Sequence, residues 1–229
     1  MADKPSRALV IFGDGLASLL HNNLHSFASG ASCGFLSLRA PEAVVQSRVR
    51  ELAQLLDAYD ATISERFMGL RAALFSIGLS ALQIDELLSQ LLQLLGISGG
   101  DFLEKSEYDL VFLHIWLNKL AGGLMEIAQP GSQVASRLHI SVVLSYGTLI
   151  DSDLSLLRPR QSYTMKGGDI RHDHPMLIAQ WQEGVTRRDK AKSFSFDEFR
   201  ENGCNRAILA DRFLHELAFK LWKAPKYGA

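Results

Sequence analysis

RALVIFGDGLAS, residues Arg7 to Ser18, is the stretch on which the fold turns. Five apolar residues, Ala8 to Phe12, run unbroken into Gly13-Asp14-Gly15. Such a run, closed by turn residues, suits a strand buried on both faces. The chain then turns into a helix whose apolar positions Leu16, Leu19, Leu20, Leu24 and Phe27 keep helical spacing. Asp14 thereby falls at the carboxyl end of the first strand, where open α/β sheets hold their ligands.

The other strands are read outward from this one. Cys33–Leu38, Arg71–Ile77, Asp109–His114, Ile140–Leu144 and Met176–Ala179 are strand-length apolar runs that alternate with amphipathic segments. Arg71–Ile77 is the ambiguous member, since its alanines favour helix. Pro41 opens a helix predicted to reach Tyr59, with Val45, Val49, Leu52, Leu56 and Tyr59 on one stripe. Glu42, Gln46, Arg50 and Gln54 are assigned to its opposite, polar face. Further helices are predicted from Ser80 to Gly96, over Leu117–Ile127, from a capping box at Ser195 and Glu198, and over Asp211–Trp222. The whole predicts an α/β fold: a three-layer αβα sandwich with a mostly parallel sheet, as one domain over 1–229. Tyr146–Pro175 has no periodicity and reads as a long loop, a feature usually tied to function.

Of the 229 residues 47% are hydrophobic, enough for one sizeable core, and the formal net charge is −1. That balance gives no general attraction for nucleic acid or acidic lipid. No apolar run reaches the about 18 residues of a membrane span. The amino-terminal MADKPSR carries no leader pattern, and two cysteines, Cys33 and Cys204, fit a reducing compartment. The expectation is a cytoplasmic protein with no nucleic-acid partner and no membrane span.

Taken in order, these pieces resemble the cofactor-independent phosphoglycerate mutases of archaeal type, in the alkaline phosphatase superfamily. ALVIFGDGLAS looks like that family's opening strand, and LHSFASGASCGFLSL like the helix and strand that follow. LRAALFSIGLSALQIDELLSQLLQLLGI, YDLVFLHI and ISVVLSYG are similar to later strands and helices. HPMLI and the terminal GVTRRDKAKSFSFDEFRENGCNRAILADRFLHELAFKLWKAPKYGA resemble its closing segment. The resemblance implies an alkaline-phosphatase-like core in which two divalent metals, held by Asp and His at strand ends, serve a nucleophilic Ser. Asp14 matches the first of those ligands.

The departures change the expected function. Trp116-Leu117-Asn118-Lys119-Leu120 stands where the family supplies an Asp and a His, and a run of that kind cannot hold a hard cation. Ser145-Tyr146 replaces an Asp-His pair. One helix occupies the place of the nucleophile and cap domain, and neither Ser47 nor Ser64 has the family's surroundings. The favoured expectation is a degenerate, cap-less core serving as a non-catalytic binding or scaffold subunit without cofactor. The alternative is a residual metal-dependent phosphohydrolase or phosphotransferase holding one divalent metal through Asp14, His172 and His174.

Each residue also has a plainer reading. Asp14 is equally a helix N-terminal acid, and His172-Asp173-His174 a solvated loop. His114 reads as a satisfied histidine within the sheet, and Cys33 as an inert buried thiol. Arg187-Arg188-Asp189-Lys190 and Lys220-Trp222-Lys223 read as solvated faces rather than phosphate contacts. For a protein partner the loop offers Leu154, Leu156, Leu157 and Tyr163 beside Arg158, Arg160 and Lys166, a mixture suited to an interface. If these residues project freely, replacing Leu156, Leu157 and Arg160 with Ala should leave thermal stability nearly unchanged but weaken recovery of the partner.

Overall fold

The computed structural model describes residues 6–13, 22–39, 48–57, 67–77, 84–115, 128–145, 154–159, 175–203 and 207–225. All six predicted strands are present: β1 (Arg7–Gly13), β2 (Ser32–Ser37), β3 (Ala72–Ile77), β6 (Leu110–Ile115), β7 (Leu138–Ser145) and β8 (Met176–Trp181). A two-residue strand β9 (Ile208–Leu209) completes a seven-stranded sheet in the order β3-β6-β1-β7-β8-β2-β9. Every neighbour pair is parallel except those made by β8, which runs against both β7 and β2. The opening stretch sits at the centre: Ala8 faces Leu110 of β6 on one side and His139 of β7 on the other.

Alternation along the strands divides the core into two layers. Leu9 and Ile11 face α1 (Asn22–Gly30), α3 (Ile84–Leu94) and α5 (Phe196–Asn202), packing with Phe27, Leu91, Phe196 and Phe199. Ala8, Val10 and Phe12 face α2 (Arg48–Leu55) and α6 (Phe213–Lys220), packing with Leu55, Phe213, Leu214 and Leu217. Helices on both faces of a mostly parallel sheet make the αβα sandwich that the sequence predicts. The ambiguous run at 71–77 is a strand because β6 pairs with it along its length, overriding the alanines' helical preference.

Smaller elements follow local chemistry. Gly96, at φ +72°, ends α3, and a Cβ there would lie 2.9 Å from the carbonyl oxygen of Lys105. The chain then forms a tight hairpin, β4 (Ile97–Ser98) and β5 (Asp101–Phe102), around the Gly99-Gly100 turn. A one-turn helix α4 (Gln133–Arg137), capped by Ser132, leads into β7. At the head of β3, Arg71 Nη2 pairs with Asp109 Oδ1 at 2.8 Å. Burial alone would raise the Asp109 carboxyl, but the side-chain and backbone hydrogen bonds from Arg71 outweigh it and hold it below the ordinary value.

Three expectations need correction. The described part of the second helix is Arg48–Leu55, and Gln54 does not face solvent. Its amide accepts from Arg39 N at 2.8 Å and donates to Arg39 O at 3.1 Å, clamping the chain just past β2. The Ser195 cap forms, with Oγ accepting from Glu198 N, but Glu198 does not return the bond in the predicted box. Its carboxylate takes the Lys192 N–H at 2.8 Å and the Asn202 amide at 2.7 Å instead. The third is Lys220, predicted on a solvated face, which is half-buried and bonded inward to Gln180. The helix predicted over Leu117–Ile127 lies outside the described residues. Among the described residues no helix is long and apolar enough to cross a membrane.

Candidate functional site

Two groups of polar side chains sit toward opposite ends of the strands, both on the α2/α6 face except for Ser37, which lies on the other face with Leu157. At the carboxyl end, where the sequence places its candidate site, the described side chains bond to one another. Ser145, the last residue of β7, donates its hydroxyl to the carboxylate of Glu51 on α2, and both are buried. Ser37, the last residue of β2, donates to the backbone carbonyl of Leu157. Arg39 Nε donates to Asp211 Oδ2 at 2.6 Å. A carboxylate, a hydroxyl and a cation are thus each held in an internal contact. These bonds fix α2, the segment 154–159 and the start of α6 to the strand ends.

The predicted residues are distributed unevenly over this edge. Asp14, His172, His174, Arg160, Tyr163, Ser47, Ser64, Tyr146 and the segment 116–120 lie outside the described residues. Leu154 begins a 3-10 turn, Leu154–Leu157. Leu156 is half-buried against the core and Arg158 is exposed. Leu157 is 1% exposed and belongs to the main core cluster. The expectation that Leu157 projects freely therefore fails: its side chain fills the core and its carbonyl caps Ser37. His114 lies in β6, its backbone paired with Phe12 and Ser76.

The resemblance calls for metal ligands at these strand ends, and the described donors do not fit them. Ser145 supplies a neutral hydroxyl where an Asp is needed, already bonded to Glu51. Among the described residues no three His, Cys, Asp or Glu side chains converge as a metal would require. Cys33 is fully buried, its thiol pushed up to about 12 by burial and then by the charges of Asp189 and Glu198. It is a packing residue. In the 187–190 segment the cations are exposed as predicted, but Asp189 is buried and accepts the Cys33 N–H at 2.8 Å.

Toward the amino ends lies a group that the sequence reading missed. Buried His139 and Ser141 on β7 and Gln180 on β8 join half-buried Lys220 on α6 in one hydrogen-bonded chain. Lys220 Nζ donates to Gln180 Oε1 at 2.6 Å, and Gln180 Nε2 donates to Ser141 Oγ at 3.2 Å. Ser141 Oγ lies 3.2 Å from His139 Nε2 and can donate to it. Burial pushes the fully enclosed His139 well below its ordinary value, the charge of Lys220 adds to this, and Gln182 opposes it. Burial also lowers Lys220 to about 8, against the opposing charge of Glu216. A cavity of about 400 Å³ opens here, lined by Ser32, His139, Gln180, Arg187, Glu216 and Lys220 among others. The signal was present in LHISVVLS: His139, Ser141 and Ser145 share one face of a strand otherwise made of core residues.

No family model and no curated protein matches this chain. Among solved structures, it is similar to the PH0037 protein from Pyrococcus horikoshii, at 11% identity and a TM-score of 0.57. That match covers 99% of this chain and 100% of the other. A cofactor-independent phosphoglycerate mutase from Thermoplasma acidophilum DSM 1728 superposes with a TM-score of 0.47 at 9% identity, over 95% of this chain and 99% of that one. At such identity the first likeness speaks for the fold alone, and the second adds nothing to that assignment.

Proposed function

We propose that this chain is a non-catalytic binding or scaffold subunit, built on a degenerate, cap-less core of the phosphoglycerate-mutase-like kind and acting in the cytoplasm as one domain. The observation that carries the reading is the Ser145–Glu51 hydrogen bond at the end of β7. The resemblance calls there for an Asp-His pair exposed to a metal. Here a buried hydroxyl and carboxylate instead fasten a helix to the sheet. A carboxylate consumed in this way is a structural group, and no phosphoryl-transfer step is routed through it. The alternative, a metal-dependent phosphohydrolase, rests on Asp14, His172 and His174, and nothing in the described residues favours it.

The same edge supplies the docking surface of this proposal. Leu157 is rooted in the core and its carbonyl is held by Ser37. Its neighbours, half-buried Leu156 and exposed Arg158, are thereby presented on a fixed turn. Arginine is enriched at protein interfaces, and the leucine beside it adds apolar area. Leu154, Arg160 and Tyr163 extend the proposed surface along the chain. A protein partner is the proposed occupant.

The test is a double variant, Leu156→Ala with Arg158→Ala, tagged and recovered from its own cells beside the unaltered chain. Thermal stability is expected to fall only modestly, by about 1 kcal/mol, because Arg158 is exposed and Leu156 is half-buried against the core. Recovery of the partner is expected to drop. Recovery equal to that of the unaltered chain, with folding intact, would remove this segment from the interface.

A further inference from the structure

The cavity beneath α6 has no part in the docking surface at the strands' carboxyl ends, and its chemistry is different. Its volume, about 400 Å³, lies within the range of small-molecule sites. Ile178, Val185 and Ile208 give it an apolar lining, while Lys220 contributes an amine. We propose that Lys220 is a covalent capture site, whose amine condenses with the carbonyl carbon of a small aldehyde or ketone held in this cavity.

The geometry first fixes the amine. Lys220 Nζ donates to a neutral amide oxygen, Gln180 Oε1, and among the described residues it forms no ion pair. Gln180 is itself held by Ser141, and Ser141 by His139, so the acceptor is anchored across two strands. An uncharged amine giving one hydrogen to Gln180 keeps its lone pair for an incoming carbonyl. The groups facing it are few. Glu216 lies one turn back on α6, Arg187 comes from the segment after β8, and neutral His139 comes from β7. β8 and β2 contribute the uncharged Gln180 and Ser32.

Electrostatics then supports the protonation state that the chemistry needs. With burial lowering Lys220 to about 8, a far larger share of the amine is uncharged near neutral pH than for an ordinary lysine. The step balances as a condensation. The amine nitrogen adds to the carbonyl carbon, the carbinolamine loses one water, and a C=N bond replaces C=O. The apolar lining takes the rest of a short carbonyl compound.

The experiment uses the full chain, propanal as the probe and sodium borohydride as the trap. Hydride from borohydride reduces the imine carbon, water supplies the proton, and a stable N-propyl lysine results. Peptide mapping then compares Lys220 with the exposed Lys190 and Lys192 on the same molecule. The expected result is labelling of Lys220 about tenfold faster near pH 7.5, the gain in free amine being partly offset by its lower basicity. Its rate should rise with pH and level off above about 8. Labelling no faster than at Lys190 and Lys192 would overturn the proposal. A second measurement uses Glu216→Gln, which removes the charge that raises Lys220 and should move the midpoint to lower pH. A midpoint that stays or rises would contradict the assignment of the reactive amine.

Discussion

Leu157→Ala is expected to lower the unfolding free energy by about 2–5 kcal/mol, the usual cost of truncating a buried leucine. The side chain is 1% exposed and packs in the main core cluster, so its loss leaves a cavity under the 154–159 segment. The same substitution loosens the turn whose carbonyl accepts the Ser37 hydroxyl at the end of β2. Arg158→Ala, one residue on, is expected to change stability little, because that side chain is exposed. Urea unfolding of the two variants side by side checks the contrast. A loss for Leu157→Ala under about 1 kcal/mol would mean that the segment is not rooted in the core.

Asp189→Ala should also be clearly destabilising, for a different reason. Its side chain is fully enclosed, with Oδ2 accepting the Cys33 N–H at 2.8 Å and Oδ1 accepting Arg187 Nε at 2.7 Å. Its own N–H donates to Ala31 O at 3.0 Å, so one residue fastens the head of β2 to the segment after β8. Truncation takes away the acceptor that a buried strand N–H relies on, and the carboxylate that neutralises an arginine. Leaving that buried N–H without its acceptor costs about 1–3 kcal/mol, and the loss of the ion pair adds little because Arg187 is exposed. Asp189→Asn keeps one acceptor and the shape, and is expected to lose clearly less. Equal losses in the two variants would show that the effect comes from packing and not from the charged hydrogen bonds.

These two residues also show where sequence reading stops. The strands were legible because a buried parallel sheet needs long apolar runs, and Ala8–Phe12 or Ile140–Leu144 have no other comfortable environment. The ambiguous run at 71–77 was decided by pairing with β6, a long-range fact that local propensity does not contain. β9 is two residues long, below the length at which alternation registers. Polar residues were the main difficulty. Gln54, Asp189 and Lys220 were all assigned to solvent by type, and each is held inward by a partner 15 or more residues away. Lone polar positions inside apolar strands, His139 and Ser141, were the available sign that a buried network needed such partners. At the carboxyl edge the replacement of an expected acid by Ser145 was readable. That Glu51 closes over it was not, because helix spacing alone does not say which polar residue turns inward.

The proposed reading, a core of phosphoglycerate-mutase-like kind without its chemistry, meets its most direct test in elemental analysis of the purified chain with turnover measured on the same sample. The account predicts no divalent metal at stoichiometric level and no reaction with phosphoglycerates or p-nitrophenyl phosphate above the rate without protein. The described donor set, with Ser145 bonded to Glu51 in place of an exposed acid and imidazole, motivates that expectation. Two metals per chain, with phosphate release abolished by a chelator and restored by the metal, would contradict it.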